Sequence, residues 1–316
     1  MRIDAVGCAK LLSEWDNIRI ICHRDPDGDT IGSAMALFEA LSLMGKRAVV
    51  TCSTPWPDTL KFIVRDMPEQ FEPEHLVAVD VAAPKMILDP PEARPHVDLC
   101  IDHHATNPLY AENTFLVDYG SAGEAMYEVI NALGVDFTPT MATALFTAMS
   151  SDTGGFRYSS VTSQTMRVAA DLIDKGADFN GVRVALFESK TRGQIQVESL
   201  ALANANYYAD GRIAVISVTI PMLEAAGIDE SELEGLASKT IEIAGVDIGI
   251  TLKERDNGSI RVSVRSTESA DSAAICREFD GGGHVRASGC RIFDTIQNAE
   301  RRLVEVCLKQ LEQEKV

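Results

Sequence analysis

The chain reads as an α/β protein with an N-terminal domain built on a mostly parallel sheet flanked by helices. A smaller C-terminal α+β domain follows, joined by a helical linker. Three observations predict this. Short apolar runs alternate with helical patterns over residues 1–190, a helix-like stretch without strand signals comes next, and strands punctuated by turn residues then take over.

In the first part, Ile18–Ile21, Ala48–Thr51, Leu76–Val81 and Leu99–Ile101 read as buried strands. Ile31–Met44, Gly123–Leu133, Thr140–Met149 and Ser163–Lys175 carry helical patterns. Such alternation predicts a parallel sheet covered on both faces, with ligands bound outside the carboxyl ends of its strands. Ser189–Tyr208 reads as a helical connector. The domains are therefore placed at 1–190 and 211–316, with a linker at 191–210. In the second domain, Arg212–Ile220, Val246–Glu254 and Arg261–Arg265 read as strands, the last two joined by the hairpin signal Asp256-Asn257-Gly258. A helix at Ser272–Phe279, a glycine loop at Gly281–Gly283, a strand at Gly289–Phe293 and a helix at Thr295–Glu314 complete it.

The 316 residues are 46% hydrophobic and 24% charged, which supports two folded domains and argues against disorder. No apolar run approaches the roughly 20 residues of a membrane helix, and MRIDAVGCAK has no apolar signal core. A cytoplasmic protein without membrane contact is expected. The seven cysteines are scattered, with no Cys-x-x-Cys pair, as expected of buried thiols in a reducing compartment. The net charge of -18 disfavours a long duplex or any extended polyanion. A small anion is still compatible, where a metal or a few arginines reverse the local sign.

Four places combine strand ends with metal-ligand chemistry. His23-Arg24-Asp25-Pro26-Asp27-Gly28-Asp29 follows the first strand. Turn and N-cap preferences account for one or two of these acids, but not for His23 with Asp27 and Asp29 together. Asp80 ends a strand, Asp102-His103-His104 ends another, and Asp152 opens a small-residue loop after a helix. Gathered at one sheet edge, Asp27, Asp29, Asp80 and Asp152 would repel unless cations intervened. Two divalent ions remove that penalty. Imidazoles from His23 and His103 among carboxylates suit manganese best, with magnesium and cobalt as alternatives.

This ordered set resembles the DHH phosphoesterase family, whose named motif is Asp102-His103-His104. Gly281-Gly282-Gly283-His284 with Ala287-Ser288-Gly289 resembles the DHH-associated domain of subtype 1, so the likeness covers nearly the whole chain. Length, domain pairing, Ser121-Ala122-Gly123-Glu124 and Phe156-Arg157-Tyr158-Ser159 are similar to the NrnA-type branch, which degrades short RNA and dephosphorylates 3′-phosphoadenosine 5′-phosphate. The basic Ser-Arg-Lys-Lys-Gln signature of family II pyrophosphatases is absent.

The resemblance implies that His23, Asp27 and Asp80 hold one metal, and that Asp29, Asp80, His103 and Asp152 hold the other. It implies that His104 meets the scissile phosphate and Asp102 orients the histidine pair, while Asp25 has no assigned role. A hydroxide bridging the metals would attack phosphorus in line with the leaving oxygen. Arg265, Gly282, Gly283, His284 and Ser288 are the expected substrate-binding residues, with Arg286 a weaker one. Expected substrates are short RNA oligonucleotides or a nucleotide bisphosphate; linear or cyclic dinucleotides and short polyphosphate are the enzymatic alternatives. A nucleotide-binding protein that has lost its chemistry is the alternative outside enzymes. A homodimer is compatible with the branch, and no residue pattern requires one.

Overall fold

Five short apolar runs pair side by side in the computed structural model, which describes residues 1–87, 96–233 and 235–313. The chain divides into two units, Met1–Ser189 and Lys190–Val316. In the first, β1 (Ile18–Ile21), β2 (Ala48–Thr51), β3 (His75–Val79), β4 (Leu99–Asp102) and β5 (Asn113–Leu116) form a fully parallel sheet in the order β2-β1-β3-β4-β5. Alternation sets its two faces. Ile18, Ile20, Val77 and Val79 enter the main core, whereas Ile21, Ala78 and Cys100 enter a smaller cluster with Val81 and Val97. The strand order reverses at β1 and β3, the crevice where open parallel sheets bind ligands.

The helices are α1 (Ala5–Glu14), α2 (Gly28–Leu43), α3 (Ala122–Leu133), α4 (Pro139–Asp152), α5 (Ser163–Asp174) and α6 (Phe179–Arg183). Side chains of Asp4, Asp27, Ser121, Thr138 and Thr162 cap the first five, accepting hydrogen bonds from their opening N–H groups. Helix α2 is buried on nearly every side, as its small and apolar residues require. It crosses α4 closely because Gly32 has no side chain. A Cβ there would stand 2.2 Å from the Ala144 carbonyl oxygen, and one on Gly123 would stand 2.7 Å from the Ala148 Cβ. These approaches bring the first turns of α2 and α3 beside the last turn of α4.

In the second unit, α7 (Arg192–Ala203), β6 (Asn206–Tyr208), β7 (Ile213–Val218), α8 (Ile220–Ala226), α9 (Leu236–Lys239), β8 (Ile248–Glu254) and β9 (Ile260–Ser266) come first. Helix α10 (Ser272–Arg277), β10 (Gly282–His284), β11 (Ala287–Ile292) and α11 (Ile296–Gln313) follow. The sheet runs β10-β11-β9-β8-β7-β6, and only the β7–β8 pair is parallel. The Asn257-Gly258 turn does join β8 to β9, with Gly258 at φ +74°. Two segments differ from the sequence expectation. The proposed linker is α7 and β6, and Val197 and Ala201, one turn apart on α7, are buried with Ile216 and Val218 in this unit's own core. The expected glycine loop instead has Gly282 and Gly283 paired with Gly289 and Ser288 in an edge hairpin, which satisfies the backbone groups that face β11 and leaves the outer ones open. Glu314, expected in the last helix, lies outside the described residues. All seven cysteines are free thiols, and no helix among the described residues is long and apolar enough to cross a membrane.

Gly32→Ala forces α2 away from α4 and is expected to lower the unfolding free energy of the chain by about 1–3 kcal/mol. Thermal or denaturant melts would read this, and an unchanged midpoint would refute the close crossing.

Candidate metal centre

Each strand end delivers a side chain to the same place. His23 follows β1 and is 6% exposed, and Asp80 follows β3 and is 2% exposed. Asp102 closes β4 and leads into His103 and His104. Helix α2 contributes Asp27 and Asp29 from its first turn, and α4 contributes Asp152 from its last.

Asp80 lies at the middle. Its backbone sits at φ +58°, a left-handed conformation that aspartate tolerates better than most residues. Its N–H is held by the Ile101 carbonyl at 2.9 Å. The two carboxylate oxygens face different neighbours. Oδ2 lies 3.6 Å from His23 Nε2, and Oδ1 lies 3.4 Å from His103 Nε2 and 3.5 Å from His104 Nδ1. His103 Nε2 also stands 3.6 Å from Asp29 Oδ2 and 3.3 Å from Asp152 Oδ2. On the other side, His23 Nε2 stands 3.6 Å from Asp27 Oδ1.

Three sets around Asp80 have their donor atoms within 4.8 Å of one another: His23, Asp27 and Asp80; Asp29, Asp80 and His103; and Asp80, Asp102 and His104, in which Asp102 is already taken up by His104 Nδ1. Donors that share an ion at about 2.1 Å stand about 3.0–3.4 Å apart, close to the 3.3–3.6 Å found around His103 Nε2. Asp80 Oδ1 is buried with no hydrogen bond of its own, an acceptor whose position is explained if a cation meets it. The residues therefore fit a pair of divalent ions sharing Asp80.

The electrostatics point the same way. Burial and the facing carboxylates of Asp80 and Asp152 push the Asp29 carboxyl well above the usual range. Burial, Asp27 and Asp80 raise Asp152 against the pull of His103. Burial also works against charge on Asp80, but His103, His23 and His104 outweigh it and hold that carboxyl below its ordinary value. Burial likewise opposes a charged imidazole on His23 and His103, yet Asp27 and Asp80 on one, and Asp152 and Asp80 on the other, raise both well above the ordinary histidine value.

Several partners of these ligands escaped the sequence reading. His103 Nδ1 donates to the Tyr119 carbonyl at 3.1 Å, which turns the lone pair of Nε2 toward the three carboxylates. Asp29 accepts from the N–H groups of Ala122 at 2.7 Å and Gly123 at 2.9 Å, the open N-terminus of α3. Glu124, 2% exposed, holds the turn before that helix by accepting from Gly120 N–H and the Thr165 hydroxyl. The Ser-x-x-Glu pattern of Ser121 and Glu124 was the available signal, since it marks a helix start. Asp102, fully buried, accepts from His104 Nδ1 at 2.8 Å and from Asn107 Nδ2 at 2.6 Å. Asp25 points outward, 71% exposed at its side chain, beside Arg24.

In the second unit, His284, Ala287 and Arg265 are directly opposed across β10, β11 and β9. Opposed residues share a sheet face, so His284 and Arg265 stand on one face with a small alanine between them. The Ser288 hydroxyl is committed to the Ser272 carbonyl and the Cys276 thiol, where it fastens the start of α10. Arg286 is likewise structural: its guanidinium holds the carbonyls of Thr267 at 2.5 Å and Ala270 at 2.7 Å.

Residues 17–149 match the DHH family N-terminal domain, and residues 210–313 match the DHHA1 domain. A bifunctional oligoribonuclease and PAP phosphatase NrnA from Thermus thermophilus is 31% identical over 299 residues, 92% of this chain and 89% of that one. The chain belongs to the DHH family. A solved structure, an exopolyphosphatase-related protein from Bacteroides fragilis, superposes with a TM-score of 0.84 at 25% identity, covering 98% of this chain and 96% of that one. A cyclic-di-AMP phosphodiesterase PdeA from Listeria monocytogenes is 24% identical over 96% of this DHH chain, which spans 49% of that protein.

The left-handed backbone at Asp80 and its ligand position separate in two variants. Asp80→Gly is expected to unfold at higher free energy than Asp80→Ala, by about 1–2 kcal/mol, because only glycine is relaxed at that φ. Manganese is expected to raise the melting temperature of the parent chain and of neither variant. Calorimetry with and without Mn²⁺ reads both effects, and a full manganese response in either variant contradicts the shared site.

Proposed function

We propose that this DHH protein is a metal-dependent phosphoesterase that hydrolyses short oligoribonucleotides and 3′-phosphoadenosine 5′-phosphate. The observation that carries the reading is the buried cage around Asp80, in a chain similar along most of its length to an oligoribonuclease and PAP phosphatase. In this reading, His23, Asp27 and Asp80 hold one divalent ion, and Asp29, Asp80, His103 and Asp152 hold the second. Manganese is the first choice, because two imidazoles stand among the carboxylates. When bound, such ions make a water nucleophilic at neutral pH and offset the charge of the phosphoryl oxygens.

The remaining work falls to the chain. A water that has given up a proton to solvent bonds through its oxygen to phosphorus in line with the leaving oxygen, whose bond to phosphorus breaks. His104, held at Nδ1 by Asp102, gives a proton from Nε2 to that leaving oxygen. In the second unit, Arg265 and His284 take a phosphate of the substrate, and Gly282 and Gly283 let it approach the backbone. Ser288 contributes by holding strand β11 opposite Gly283. The net charge of -18 disfavours long polyanions and leaves short substrates.

A second reading, hydrolysis of linear or cyclic dinucleotides, is favoured by the likeness to the Listeria phosphodiesterase. The likeness to an exopolyphosphatase-related protein adds short polyphosphate. A binding protein without chemistry is disfavoured, because all six expected ligands are present and face one another.

Purified protein with Mn²⁺ should release phosphate from 3′-phosphoadenosine 5′-phosphate and shorten diribonucleotides faster than it hydrolyses cyclic di-AMP, tripolyphosphate or pyrophosphate. Turnover confined to pyrophosphate or tripolyphosphate would sink the nucleotide reading. His104→Gln should lower kcat by about 10²–10⁴-fold with bound manganese unchanged by elemental analysis.

A further inference from the structure

Asp102 is buried completely, and both of its oxygens are engaged. Oδ1 accepts the backbone N–H groups of His103 at 2.9 Å and His104 at 3.3 Å, together with His104 Nδ1 at 2.8 Å. Oδ2 accepts Asn107 Nδ2 at 2.6 Å. The Asn107 side chain is itself fixed. It is 7% exposed, its Oδ1 accepts the Leu109 N–H at 2.8 Å, and Nδ2 also reaches the Val81 carbonyl at 3.4 Å and the Cys100 thiol at 3.6 Å. The amide has only one workable orientation, because an N–H must be met by oxygen and a carboxylate by nitrogen.

We infer that Asn107 is a positioning residue for phosphoester cleavage, holding the Asp102 carboxylate at the rotation that sets the ring of His104 and aims its Nε2 at the leaving oxygen. The inference rests on the reading of His104 as the proton donor. The physical reason is the softness of the carboxylate torsion. An aspartate carboxylate turns about a broad, roughly two-fold potential, so three donors on Oδ1 do not by themselves fix its plane. The donor on Oδ2, anchored at its far end by Leu109, does. Without it, Oδ2 would lose its one side-chain partner in a buried site, and the carboxylate would turn to share its donors differently, carrying the imidazole with it. Asn107 lies five residues beyond Asp102, in the loop after β4, and among the contacts described it touches none of the six ligands of the cage. Its loss is therefore read at the leaving group rather than in metal binding.

The test compares two esters of the same 5′-adenylyl phosphate on the full chain loaded with manganese. In the linear diadenylate the 3′-oxygen must be protonated as its bond to phosphorus breaks, whereas 4-nitrophenyl adenosine 5′-phosphate releases a phenolate that needs no proton. In Asn107→Leu, kcat on the diadenylate should fall about 10–100-fold, with KM and bound manganese unchanged. On the nitrophenyl ester it should change less than about threefold. Asn107→Ala removes the same donor to Asp102 without adding a charge beside it, so it should give the same selective loss, and it carries the comparison if the leucine variant does not fold. An equal fall on both esters, a rise in KM alone, or a loss of manganese would overturn the inference in favour of a merely structural loop residue. His104→Gln, assayed alongside, separates the two levels. A selective loss there but not in the Asn107 variants overturns the inference alone. An equal loss on both esters in His104→Gln overturns the proton-donor reading, and the inference with it.

Discussion

Buried carboxylates repel, and the first unit holds Asp29, Asp80 and Asp152 around one imidazole nitrogen, with Asp27 beyond a second. The fold organises itself around that repulsion. Parallel strands end together, so the residues after β1, β3 and β4 arrive side by side. Helix N-termini then supply the donors that water would have given: α3 offers its first N–H groups to Asp29, and Asp27 is spent partly on capping α2. Asp80 Oδ1 is buried and met by no hydrogen-bond donor, at the position where the two ligand sets join. A left-handed backbone at a non-glycine residue is the local strain that such a position carries.

The cage was legible in the sequence because its ligands sit where apolar runs end. A strand buried on both faces is written as consecutive apolar residues, so an acid or histidine directly after one is conspicuous, as at Asp80 and Asp102. Asp27 shows that two readings of one residue can both hold: it caps α2 through Oδ1 and also faces His23. What stayed hidden was carried by backbone atoms or by ordinary polar residues. The Tyr119 carbonyl that orients His103 leaves no trace in residue identity. Asn107, before a proline, looks like any turn residue until its amide is seen on Asp102. Strand β5 is only four residues long, and Asn113 and Thr114 within it break the apolar pattern, so nothing marked it as part of the sheet.

In the second unit, turn chemistry was more informative than periodicity. Asn257-Gly258 located a hairpin correctly, whereas the glycine run at 281–283 suggested a loop and is in fact largely an edge strand. Glycine permits both, and the decision came from the pairing offered by β11. The stretch expected as a linker was misleading for a related reason. A helix with two apolar residues on one face reads as a connector until a sheet face is available to bury them, and Ile216 and Val218 provide it.

The way Asp27 and Asp29 spend their lone pairs also bears on which ions can compete. Asp29 gives Oδ1 to Gly123 and Ser33 and one lone pair of Oδ2 to Ala122, and Asp27 gives Oδ1 to two N–H groups of its own helix. Asp29 is left to bind end-on, through the Oδ2 that faces His103, whereas the Asp27 oxygen that faces His23 is the same Oδ1 that caps its helix. Calcium favours six to eight oxygens, often from carboxylates that grip it with both atoms, whereas smaller ions accept one atom from each ligand. A scaffold that ties most of the Asp29 carboxylate to helix starts would thus favour ions content with one atom from that ligand.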